Sequence, residues 1–194
     1  MHGLMILLIS VAASIDNFAV GMTYGIQGKK ITWMANLFMA SVALVTSLVT
    51  IIAGSLIGFT IPEFMSGLIS GMMILGIGLW SLFGAWHHRE KPSKSIPQAD
   101  QIDRDQNNVI TFNETFWLSF ALAFNAMGTA FSAGIGGLNP IGVAMSVGVF
   151  SFFSIEAGQY LGLKKIRSHF GTLSEYVAAI LLLCIAIYII LSAM

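Results

Sequence analysis

Charge is what this sequence has least of: Asp, Glu, Lys and Arg make up 9% of its 194 residues, against roughly 25% in an average soluble domain. A water-soluble globule of ordinary composition is thereby excluded. Cysteine occurs once, at Cys184, so neither an intrachain disulfide nor a cysteine metal cluster can form. In its apolar run that thiol is expected to be a small buried hydrophobe. Nine basic residues balance nine acidic ones, which removes a whole-chain basic field and with it nucleic acid as a partner. The first apolar run has no Lys or Arg ahead of it and is interrupted by an Asp, so it is not expected to be a cleaved signal peptide.

What the chain has instead is hydrophobic length. Apolar runs lie at about Leu4 to Tyr24, Trp33 to Phe59, Phe64 to Trp86, Thr115 to Ile135, Ile141 to Leu163 and Tyr176 to Ala193. Each approaches the ~20 residues a helix needs to cross about 30 Å of hydrocarbon. Backbone polar groups in lipid must be paired within their own segment, and no barrel-type alternation is present, so helices are expected. Trp33, Trp86, Trp117, Tyr160 and Tyr176 fall near the proposed ends, where interfacial aromatics belong. Every basic residue lies in the first connection (Lys29, Lys30), the third (Arg89, Lys91, Lys94, Arg104) or the fifth (Lys164, Lys165, Arg167). By the positive-inside rule, connections 1-2, 3-4 and 5-6 are cytoplasmic and both termini are outside.

Sliding the chain on itself by 109 residues lays Gly25 on Gly134, Asp16 on Asn125 and Thr23 on Ser132. The same shift carries the second span onto the fifth and the third onto the sixth. Three spans per half is an odd number, so the second half would enter the membrane from the opposite side, the inverted-repeat plan of many secondary transporters. The fold expected is an all-α polytopic membrane protein of six helices in two inverted three-helix repeats: residues 1–86 and 113–194, joined by a cytoplasmic linker at 87–112. Identities between the halves are few, and a chance match of two Gly/Ala-rich helices stays open.

Asp16 sits about twelve residues into the first span, ~18 Å deep at 1.5 Å per residue. A bare carboxylate there costs several kcal/mol unless it meets protein, water or a cation. Ala12, Asp16, Ala19 and Thr23 share one small-residue face, which leaves room for a site. Asn17 adds a neighbouring amide oxygen, and Asn125 offers another at matching depth. Glu156, with Gln159 one helical step away, is the second intramembrane carboxylate. No Lys or Arg stands inside a span, so the counter-charge is a proton or a transported cation. Oxygen donors suit magnesium, calcium or manganese. The alternative for each acid is a packing role, protonated or bonded to Ser or Thr. The pairs Gly21/Gly25, Gly54/Gly58 and Gly67/Gly71 have the spacing that lets helices approach closely.

In the linker, Asp103, Asp105, Asn107, Thr111 and Glu114 stand at positions 1, 3, 5, 9 and 12 of a calcium-loop spacing. Val109 would give its carbonyl at position 7, and Asn108 replaces the usual Gly at position 6. Asn tolerates the left-handed conformation required there. The cofactor expected at this loop is a divalent cation: calcium, magnesium or manganese. A plain acidic linker is the alternative.

Ser14-Ile-Asp16-Asn17-Phe18-Ala19-Val20-Gly21, its echo at Asn125 to Gly134, the Gly136-Gly137-Leu138-Asn139-Pro140 turn and the calcium-type linker together resemble the YtaF-type sporulation membrane proteins. That family is similar to the MntP manganese efflux pumps, whose six helices form two inverted repeats with a Ser-x-Asp motif in the first helix and an acid in the fourth. Asp16 matches the first; Asn125 departs from the second, which puts manganese export in doubt. The resemblance implies a bacterial cell membrane. Together these features point to a transporter of a divalent cation, manganese-like or calcium, exporting by alternating access along Asp16, Asn17, Asn125 and Glu156, with Asp16 and Glu156 as metal ligands. Its partners are the bilayer and the cation, and a homo-oligomer is left open. The rival is a non-transporting, metal-responsive sporulation membrane protein. An enzyme is not expected, since no Ser/His or paired-Asp arrangement stands at one depth. The topology has a direct test: a reporter active only outside the cell should be at least about tenfold more active fused after residue 194 than after residue 30. The reverse ratio would invert the protein.

Overall fold

Helices form wherever the apolar runs are long enough, and apart from the linker between the third and fourth helices the connections are four to six residues long. The computed structural model describes residues 2–87, 108–164 and 169–193. Its elements are α1 (His2–Ile26), β1 (Lys30–Ile31), α2 (Trp33–Gly58), α3 (Glu63–His87), β2 (Val109–Ile110), α4 (Phe112–Ile135), α5 (Pro140–Leu163) and α6 (His169–Ala193). All six helices contain a stretch long and apolar enough to cross a membrane. Start signals are local: the Thr32 hydroxyl accepts from Ala35 N–H at 3.3 Å, and Asn139 Oδ1 accepts from Gly142 N–H at 2.9 Å with Pro140 opening the helix. At α4 the Glu114 carboxylate reaches back to Thr111 N–H at 2.9 Å and its hydroxyl at 2.8 Å, the reciprocal half of a capping box.

The helices α1 and α4 end in the same way. Gln27, Gly28 and Lys29 N–H groups donate to Thr23, Gly25 and Tyr24 carbonyls; Gly136, Gly137 and Leu138 donate to Ser132, Gly134 and Ala133. Gly28 and Gly137 have φ of 76° and 74°, the left-handed turn that closes a helix and that glycine adopts without a Cβ penalty. Every one of these six residues is paired with its counterpart by the 109-residue shift.

Helix directions follow from which residues meet. Asn17 meets Ser151, and a Cβ on Gly21 would press on Ile155 O and one on Gly25 on Gln159 O, so α1 and α5 run parallel. On α2 and α4, a Cβ on Gly54 would press on Phe131 O and one on Gly58 on Ile135 O, again parallel. In contrast α2 and α5 are antiparallel, Leu44 lying on Gly148 and Asn36 on Phe152, as are α3 and α6, where Gly67 meets Ala193 and Gly78 meets Leu182. These are the directions that six successive crossings produce. The principal packed pairs are α1 on α5, α2 on α4, α3 on α6, α2 on α5, α1 on α6, α3 on α4 and α1 on α4. Exchanging α1 with α4, α2 with α5 and α3 with α6 leaves that set unchanged.

The glycine contacts repeat in detail. A Cβ on Gly25 would meet Gln159 O and Leu163 N, and one on Gly134 would meet Ile51 O and Ser55 N; one on Gly162 would meet Met22 O and Ile26 N, and one on Gly54 Phe131 O and Ile135 N. The matching register is 109 between α1 and α4 but 108 between α2 and α5, not the single 109 expected, because the connections that follow α1 and α4 differ in length.

One feature was absent from the sequence reading: β1 pairs with β2 in parallel, Lys30 beside Val109 and Ile31 beside Ile110, tying the first connection to the chain entering α4. Another reverses it. Cys184 is exposed, because α6 turns Ala178, Ala179, Leu182, Ile185, Ala186 and Ile189 inward and position 184 lies off that face. Where glycine sets the helix spacing, added volume should cost stability: Gly54→Ala and Gly158→Ala should each destabilise by about 1–3 kcal/mol, read as a lowered midpoint of thermal unfolding in detergent. Gly76→Ala, which meets nothing within 4 Å, should leave the midpoint unchanged or raise it.

Candidate functional site

The buried apolar residues fall into two clusters stacked along the helices. One takes in Ile9 and Ala12 of α1, Ala43 and Ile51 of α2, Ala130 and Ala133 of α4, and Val143 and Val147 of α5. The other takes in Val20 and Tyr24 of α1, Ile31, Ala35 and Met39 at the start of α2, Ile110 and Leu118, and Ile155. Between them lies a layer crossed by Asp16 and Asn17 on α1, Ser151 on α5 and position 125 on α4. At this level α1 carries a carboxylate and an amide side by side.

Within the layer Asn17 is buried and its Nδ2 donates to Ser151 Oγ at 2.7 Å. Asn17 therefore faces α5. Asp16, one residue back, is half-buried and flanked by buried Ala12 and Ala19, so it is turned toward the bundle and not out into the acyl chains. Thr23 returns its hydroxyl to Ala19 O at 2.8 Å. The Asn125 side chain lies outside the described residues; its backbone position in α4 is on this level. Toward the N-terminal ends of α1 and α5 the seam stays polar, with Ser14 Oγ donating to Val147 O at 3.5 Å. Ser10, Ser47 and Ser132 are fully buried and their hydroxyl oxygens have no partner. A buried polar group left unsatisfied costs about 1–3 kcal/mol, a price a bundle meant only to pack has no reason to carry.

Glu156 is elsewhere. The α1–α5 register sets it level with residue 22, six residues along from Asp16, about 9 Å at 1.5 Å per residue. The two carboxylates therefore do not share one ion. Glu156 is exposed and accepts from Asn36 Nδ2 of α2 at 3.3 Å. Gln159 is also engaged, its Oε1 accepting from Ile31 N–H at 2.8 Å. Sequence reasoning missed Asn36 and Ser151; the signal available was an amide only four residues inside a long apolar run, with no local capping role. Among the described residues no three His, Cys, Asp or Glu side chains gather where one metal could bind them all.

Of the linker residues, Asp103, Asp105 and Asn107 lie outside the described residues. Asn108 has φ of 62°, the left-handed conformation. Val109 lies in β2, and Glu114 caps α4 through Thr111. These four residues have the backbone shape of a loop running into a helix, and Glu114 has a capping function with or without an ion.

No family model and no solved structure matches the chain. It is similar to a protein described as the probable sporulation protein YtaF of Bacillus subtilis (strain 168), at 27% identity, in a match covering 79% of this chain and 82% of the relative. Its six membrane-length helices make the chain a multi-pass membrane protein, and the likeness to YtaF that its motifs implied extends over most of both chains.

Proposed function

We propose that this protein moves a divalent cation, manganese-like or calcium, across a bacterial cell membrane by alternating access between two inverted three-helix repeats. The observation that carries the proposal is the polar layer of Asp16, Asn17, Ser151 and position 125, closed on each side by an apolar cluster. Asp16 is a half-buried carboxylate at mid-depth with no Lys or Arg in any span, and a cation in transit would offset the cost of its charge there. The equivalence of the α1/α4 and α2/α5 contacts supports the inverted repeat, since antiparallel α2–α5 and α3–α6 pairs require a twofold axis lying in the membrane plane. Two alternative packings of the apolar clusters would open the layer first to one side and then to the other.

In this mechanism Asp16 and the Asn17 and Asn125 oxygens replace part of the ion's water shell. Position 125 carries an amide where the first repeat has a carboxylate, so the layer holds a single formal negative charge from these two positions. A lower charge weakens cation binding and favours release. The linker loop, docked on the first connection through β1 and β2, would be the metal-responsive element on the cytoplasmic side.

Likeness to a probable sporulation protein favours a second reading, a non-transporting, metal-responsive sporulation membrane protein. Flux separates the two. In proteoliposomes the chain should carry manganese or calcium, and Asp16→Asn should lower the rate by more than about tenfold with unchanged yield and monodispersity. Equal rates would remove Asp16 from the mechanism, and no flux from the unaltered protein under a gradient of either ion would leave the non-transporting reading.

A further inference from the structure

The α2–α5 seam is polar at one end only. There Asn36, fully buried, directs Nδ2 at two oxygens: the Phe152 carbonyl at 3.1 Å and Glu156 Oε2 at 3.3 Å. The second bond, to a carboxylate, is long for its type. The other end of the amide, Oδ1, is buried without a partner. The register of 108 that superimposes α2 on α5 carries Asn36 to Ala144 and Leu48 to Glu156, so at the far end of the same seam the corresponding pair, Ala144 and Leu48, is apolar. Packing does not demand the polar pair, since the equivalent crossing is made without it.

We infer that Asn36, Glu156 and the Phe152 carbonyl form a second divalent-cation site, separate from Asp16, at the end of the bundle that bears the basic connections. The amide NH2 now occupies the place where two oxygens converge, and supplies them with the positive edge that a cation would supply better. A half-turn of the amide exchanges its ends. Oδ1 then joins Oε2 and the carbonyl, the orphaned acceptor gains a partner, and three oxygens of mixed charge face one point. One carboxylate with neutral oxygens and water completing the shell is a hard-cation donor set. Glu156 is the exposed member and stands seven residues, about 10 Å at 1.5 Å per residue, from the end of α5 at Leu163, the side from which a hydrated ion would reach it. One turn on, Tyr160 is 58% exposed, with Lys164 Nζ 4.2 Å over its ring, the aromatic and basic pairing of a headgroup interface.

This deepens the transport reading, on which its purpose rests: a cation is collected here, beside the cluster of Val20, Tyr24, Met39, Leu118 and Ile155, before it passes to the layer at Asp16. The polar end without an apolar-end counterpart gives the path a loading side. The chemistry of the site does not depend on flux.

The test is manganese binding to the full chain in lipid nanodiscs, counted by the loss of the free-ion electron paramagnetic resonance signal, beside flux in proteoliposomes. The unaltered protein should hold one more ion than E156Q or N36A, and either substitution should weaken that ion by more than about tenfold, while D16N leaves it in place. Asn36→Asp, which keeps an oxygen at the same point, should retain or tighten it and guards against a loss caused by misfolding. Unchanged stoichiometry and affinity in both E156Q and N36A would overturn the site while leaving transport through Asp16 standing. An ion lost in those variants from a chain that shows no flux would keep the site and remove the transport reading.

Discussion

In hydrocarbon a leucine gains little by exchanging lipid for protein, so helices are held by how closely their backbones can approach. The bundle depends on two such approaches, α1 against α5 and α2 against α4, where Gly21, Gly25, Gly158 and Gly162 on one side and Gly54, Gly58 and Gly134 on the other bring backbone against backbone. Both crossings are parallel, both use the last turns of α1 or α4, and both sit next to a Gly28- or Gly137-type turn. The spacing they impose determines which side chains meet on either side. Asn17 reaches Ser151 because the next two turns of α1 lie flush on α5, and the remaining helices, α3 and α6, close the bundle through side-chain contacts with α4 and α1.

Polarity is distributed along these seams at separate levels. Asp16 and Asn17 lie between the two apolar clusters. Glu156 lies beside the second cluster and turns to α2, about 9 Å away along the axis. The two intramembrane acids thus stand at different levels of the bundle. The short β1–β2 pair, with Ile31 N–H also held by Gln159, fastens the first connection, the chain entering α4 and α5 together at the end where Glu156 opens. Any movement that opens the second cluster has to act on this fastening.

Much of the arrangement was legible beforehand. Six spans, their approximate ends, the small-residue pairs and the depth of Asp16 follow from hydrophobic length and helix geometry, and Trp33, Trp86, Trp117 and Tyr160 do stand exposed near helix ends. The reading failed where rotation about a helix axis mattered. Cys184 lies in an apolar run, but in a membrane an apolar residue is equally at home on the lipid face, so burial could not be inferred from its neighbours. Asn36 went unnoticed because a lone amide near a span end is unremarkable until its partners on α5 are known. The β1–β2 pair involves two residues from each side and leaves no periodic trace.

The sequence by itself determined that the chain crosses a membrane repeatedly, which segments do so and where the intramembrane acids lie, because the cost of exposing backbone or charge to lipid depends only on composition and length. Which oxygens face one another was decided by tertiary structure alone. Register between helices is set by the glycine contacts, each of which allows one close fit, and a slip of a single residue rotates a side chain by about 100° at 3.6 residues per turn. That is enough to separate Asn17 from Ser151 or Asn36 from Glu156.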